Sequence, residues 1–169
     1  MEALSEYLNY FTYAPLPIFL FALFKCWKNI GARWFLILLV SVECIDLYSY
    51  QYAINWTTHY YGWAILMNVL FIFPSIYRKA LAEHFYNMTK KSFFSRAKEL
   101  DFNQHEAALI ILFSISLCAN AISYSEAFLY KAFIIDDMYF KNYILGQLQL
   151  ILHILTCLAA LSLSINNKG

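Results

Sequence analysis

Apolar residues gather in five long stretches separated by short polar connectors: residues 7–24, 34–52, 61–77, 107–125 and 143–164. A bilayer core about 30 Å thick needs roughly 20 apolar residues of helix, each rising about 1.5 Å. All five stretches fall in that range, and together they take up about 95 of the 169 residues. The pattern predicts an all-α, polytopic transmembrane helix bundle of four to five antiparallel spans, a single integral membrane domain over residues 1–169. The first stretch accounts for the range in the count. Pro15 and Pro17 interrupt it, so it is either a kinked span compensated by neighbours or an interfacial segment followed by a short insertion.

The connectors differ in kind. Trp27–Arg33 and the link around Asn55-Trp56-Thr57-Thr58-His59 are tight, which makes the helices they join antiparallel neighbours. Asn55-Trp56-Thr57 and Asn87-Met88-Thr89 match the glycosylation sequon and are read as chance. Residues 78–106 form a connector too small to fold alone. Leu81, Phe85 and Met88, then Phe93, Ala97 and Leu100, recur there at helical spacing among basic residues. Two readings fit: a basic amphipathic helix or helix pair on the inner leaflet, or a continuation of the third helix with a solvated face. Asn103-Gln104-His105-Glu106 has the form of a capping box opening the fourth span. The connector 126–142 is unusually apolar for a loop, so it is expected to lie in the interface or under a partner.

Charge adds an orientation. Ten of the twelve Lys and Arg residues fall on one side of the predicted spans, and only Lys131 and Lys141 on the other. The positive-inside rule then gives an integral protein of the cytoplasmic (inner) membrane, N-terminus out and C-terminus in. The first residues carry two acids and no base, so no secretory signal is expected. Arg78, Lys79, Lys90, Lys91, Arg96 and Lys98 are the candidate contacts for lipid headgroups or a cytoplasmic partner at 78–106. Composition agrees with the spans: 62% hydrophobic, 14% charged, net charge +1. Such a chain lacks the basic field of a nucleic-acid-binding protein. The four cysteines, Cys26, Cys44, Cys118 and Cys157, have no metal or redox spacing and read as packing residues.

Polar residues inside the spans carry the functional question. In the second span, nine Leu, Ile, Phe and Val residues contribute roughly −4.5 kcal/mol of insertion energy, and Glu43 and Asp46 cost roughly +6 kcal/mol. The acids therefore need partners, protonation or water. They stand three residues apart and share a face. Counted from the outer ends of their helices, Glu43 and His153 lie at similar depth, as do Asp46 and Gln149. Asn68 and Asn120 fall in the same outer half. The expected polar cluster is Glu43, Asp46, Asn68, Asn120, Gln149 and His153. It is either a proton or cation path or interhelical hydrogen-bond glue.

No phosphate-binding loop, metalloprotease, hydrolase or EF-hand pattern is present, and one intramembrane histidine is too few for a haem held between helices. No cofactor, metal site or catalytic residue is expected. The leading expectation is a non-enzymatic subunit of a homo- or hetero-oligomeric membrane complex. The alternative is a small homo-oligomeric proton or cation channel, or a membrane-permeabilising effector, lined by Glu43 and Asp46. A lipid-modifying membrane enzyme with His153 as base is the weakest of the three.

Overall fold

The structure is a computed structural model that describes residues 14–165. The described residues are helical, without strands. The helices are α1 (Pro15–Lys25), α2 (Ile30–Ala53), α3 (His59–Ile76), α4 (Arg78–Thr89), α5 (Ser92–Glu99), α6 (Gln104–Lys131) and α7 (Gly146–Ile165), the last preceded by a π-helical turn at Phe140–Leu145. Residues 7–13 of the first predicted span lie outside the described residues. The prolines do not interrupt α1; they open it. Pro15 occupies the first helical position, where the missing N–H has no intrahelical acceptor in any case.

Five helices close a ring. α1 packs on α2, α2 on α3, α3 on α6, α6 on α7, and α7 returns to α1. Side-chain contacts give the directions. Phe35 meets Phe71 and Tyr50 meets Tyr60, so α2 and α3 are antiparallel. Phe71 stacks on Phe113 at 4.1 Å and Tyr124 Oη lies 3.4 Å from His59 Nδ1, so α3 and α6 are too. Ser116 meets Gln149, and His105 meets Ser162, which sets α7 antiparallel to α6. An odd number of helices leaves one parallel pair. Cys26 Sγ donates to Leu163 O at 3.3 Å, placing the C-terminal ends of α1 and α7 together. The apolar core sits at this end, around Phe35, Leu36, Leu39, Phe71 and Leu109.

Three helical segments are long and apolar enough to cross a membrane: His59–Ile76, Gln104–Lys131 and Phe140–Ile165. Their outward faces are apolar, with Leu66, Phe73, Ile111, Ile122, Ile151 and Leu158 exposed. α2 has 24 residues but carries Glu43 and Asp46. α1 has 11 residues and is about 16 Å long, short of a bilayer core. Two cysteines depart from the packing role expected of them: Cys44 and Cys118 lie exposed on the outside of the ring.

α2 starts at Ile30, before the predicted 34, with Asn29 Oδ1 accepting from Ala32 N at 3.1 Å as its cap. The start of α6 follows the sequence: Asn103 with Glu106 closes a capping box. Two other ends do not. α6 continues six residues past the predicted limit at Ser125, because Ala127 is buried against Tyr61 and Leu145 and gives the extra turns something to cover. The turn that caps it passes through Phe133, whose φ is +57°, with Ile134 N donating to Leu129 O at 3.0 Å. The connector 126–142 thereby shrinks to residues 132–139. The final helical segment starts at Phe140 rather than 143, because the Glu126 carboxylate accepts from Phe140 N at 2.8 Å and Lys141 N at 2.9 Å.

Residues 78–106 form a helical pair, α4 and α5, packed on each other, with α5 against α2. Pro74 cannot donate to the Leu70 carbonyl, and two residues later α3 ends and the chain turns into α4.

Candidate functional site

The ring surrounds a partly open cavity of about 450 Å³, lined by residues of all five of its helices. α1 contributes Phe19; α2 contributes Glu43 and Asp46; α3 contributes Tyr60, Tyr61, Trp63 and Asn68; α6 contributes Ser116 and Asn120; the last segment contributes Lys141, Gln149 and His153. All six residues of the expected polar cluster thus line one space. Asn68 and Asn120 are buried, Glu43, Asp46 and Gln149 half-buried, and His153 exposed.

The depth-matched residues, Glu43 with His153 and Asp46 with Gln149, do not bond to each other. His153 Nδ1 lies 3.0 Å from Gln149 O in its own helix, and Gln149 Oε1 accepts from Ser116 Oγ at 3.4 Å. Both amides back-bond locally: Asn68 Nδ2 donates to Ala64 O at 2.8 Å, and Asn120 Nδ2 to Ser116 O at 2.9 Å. Among the described residues, the carboxylates of Glu43 and Asp46 have neither an ion pair nor a hydrogen bond. Helix ends and depth were enough to put these residues in one layer. His153 is engaged within its own helix and Gln149 by Ser116 of α6, which leaves both acids without these partners.

Aromatic rings form much of the wall. The Tyr60 ring centroid lies 5.5 Å from that of Tyr61, 5.6 Å from Trp63 and 6.4 Å from Tyr50. Trp63 Nε1 donates to Ser49 Oγ at 3.0 Å, pinning the indole between α2 and α3. Lys141 Nζ sits 5.9 Å from the Tyr61 ring centroid. Sequence reasoning left Lys141 in a connector and read Tyr60 and Tyr61 as anchors at the outer membrane interface, outside the polar cluster. The early start of the last helical segment, which carries Lys141 to the cavity, depends on Glu126, fifteen residues away.

The basic surface needs one correction. Lys79, Lys90, Lys91, Arg96 and Lys98 are exposed, but Arg78 is 1% exposed and lies inside the protein. Its Nη1 meets Glu106 Oε2 at 3.2 Å, its Nη2 donates to Leu100 O, and its guanidinium carbon lies 4.8 Å over the Phe102 ring. Glu106 also accepts from Asn103 N at 2.9 Å. A headgroup contact expected of Arg78 is instead the bolt joining α4 to the start of α6. Two exposed lysines are paired, Lys79 with Asp101 at 3.0 Å and Lys98 with Glu83 at 2.7 Å. The hydrogen bond from Lys79 and its charge hold the Asp101 carboxyl below its ordinary value.

Chemically the cavity offers two unpaired carboxylates, amide oxygens and aromatic faces. Among the described residues, no group of three or more His, Cys, Asp or Glu side chains gathers as a metal site. No family model matches the sequence, and no curated protein or solved structure matches it either.

Proposed function

We propose that the chain is a non-enzymatic integral membrane protein that takes a cation into the cavity at the centre of its own helix ring. The observation that carries this reading is the convergence of every expected intramembrane polar side chain on one space, with both carboxylates unpaired. Glue between helices would spend those carboxylates on hydrogen bonds. Acids kept free inside an apolar shell are costly, and a cationic occupant offsets the cost. In this reading α2 spans the membrane with the three longer apolar segments, α1 completes the ring, and the basic end faces the cytoplasm. Purified protein in liposomes should pass protons or monovalent cations, and E43Q/D46N should abolish the flux. No flux from the parent, or equal flux from the variant, refutes the reading.

A second reading is favoured by one observation. Phe133 is 95% exposed and Ile134 68% exposed on the turn between α6 and the last segment. Large apolar side chains held out on a turn suit a subunit of a membrane complex, docked there on a second membrane protein. Its test is co-purification from native membranes in mild detergent. A partner lost on F133S supports it; a lone chain opposes it.

A further inference from the structure

We infer that the occupant is a monovalent organic cation with an apolar body, not a bare metal ion or a proton alone. The inference rests on the cavity reading above and names its ligand. Three features of the walls decide the class. The first is size: about 450 Å³ is far more than a dehydrated metal ion fills, and falls in the usual range for small-molecule pockets. The second is the wall chemistry. Tyr60, Tyr61 and Trp63 add aromatic rings to the lining, which suit organic ammonium and phosphonium centres and contribute little to the oxygen shell a metal ion needs. The third is charge. Glu43 and Asp46 supply two acidic groups and Lys141 one basic group, so by formal count the lining is acidic by one. A single positive charge balances it, whereas a divalent ion would leave an excess inside an apolar shell. The carboxylates share one side of α2, and the tyrosines and tryptophan project from the adjoining α3. A cation therefore meets carboxylate on one flank and aromatic ring on the next.

The test uses two probes of the same shape and opposite charge, tetraphenylphosphonium and tetraphenylborate, titrated calorimetrically onto the purified full chain in detergent. Saturable binding of the phosphonium is expected, without matching binding of the borate. E43Q and D46N, each made singly to spare the fold, should weaken it about tenfold or more. W63F keeps an aromatic ring and should bind nearly as the parent does, whereas W63L should lose several-fold. K141A removes the competing positive charge and should bind at least as tightly. Equal uptake of both probes means simple partitioning into detergent and overturns the inference. So does phosphonium binding indifferent to both acid substitutions. The outcome separates this inference from the reading beneath it. Flux of small cations with no phosphonium binding refutes the ligand class alone. Acid-dependent phosphonium binding with no flux of any cation refutes transport and upholds the ligand.

Discussion

Arg78 shows how much a single side chain settles in this protein. Its guanidinium is buried at the junction of α4 and α6, held by Glu106 and the Leu100 carbonyl. Removing one member of a buried pair strands the other, which costs about 3–5 kcal/mol. R78A should therefore lower stability by that amount in a detergent unfolding titration. R78M combined with E106Q should recover most of it, since glutamine still accepts the Asn103 N–H while no charge is left alone. Gly31 is part of the same junction. A Cβ there would lie 2.9 Å from Glu106 Oε1, so G31A should push the carboxylate off Arg78 and cost about 1–3 kcal/mol. Asp101 gives a pH effect at this end. Its carboxyl is held below the ordinary 3.8 by Lys79. A depressed carboxyl stabilises the fold above that ordinary value, and the contribution fades as pH falls through the folded value. In K79A the Asp101 carboxyl should titrate at a higher pH than in the parent, read by NMR of a side-chain label. An unmoved titration would remove Lys79 as the cause.

At the scale of elements, the chain ends its helices by two unequal devices. The last segment is started by a carboxylate from another helix, Glu126, which accepts the N–H groups of Phe140 and Lys141. E126A should expose those two amides to faster hydrogen exchange and cost about 1–2 kcal/mol. α6 is capped by a turn in which Phe133 has a left-handed backbone, a position glycine usually fills. F133G should relieve that conformation and raise stability by roughly 1 kcal/mol. A loss on F133G would mean that the exposed ring packs on something. These devices explain what the sequence hid. Runs of apolar residues located the four long helical segments after α1 to within about six positions at each end, because long apolar stretches leave little freedom. The capping box at Asn103 was legible because its parts are three residues apart. Glu126 to Phe140 and Arg78 to Glu106 are contacts across 14 and 28 positions, set by the ring's closure and invisible to any local pattern.

For the molecule as a whole, the ring order determines what the polar residues do. Depth arithmetic on straight helices put Glu43, Asp46, Asn68, Asn120, Gln149 and His153 in one layer, and they do line one cavity. It could not show that the layer is hollow. That follows from five helices closing on themselves, with apolar side chains outside and the acids within. Charge segregates along the same axis: Lys25, Lys28 and Arg33 join α4 and α5 at one end, while Lys131 and Lys141 lie at the other. On the proposed orientation, a cysteine at K90C should react with a membrane-impermeant maleimide only after cells are opened, and one at F133C in intact cells. The reverse pattern would invert the topology.

The central claim is that one copy of the chain carries its own site. The most direct measurement is cation flux in liposomes as the protein is diluted below one copy per vesicle. The account predicts that the fraction of active vesicles falls in proportion to the mean copy number, with E43Q/D46N silent throughout. A fall with the square or a higher power of copy number would mean that the acids work only between copies, and would contradict it.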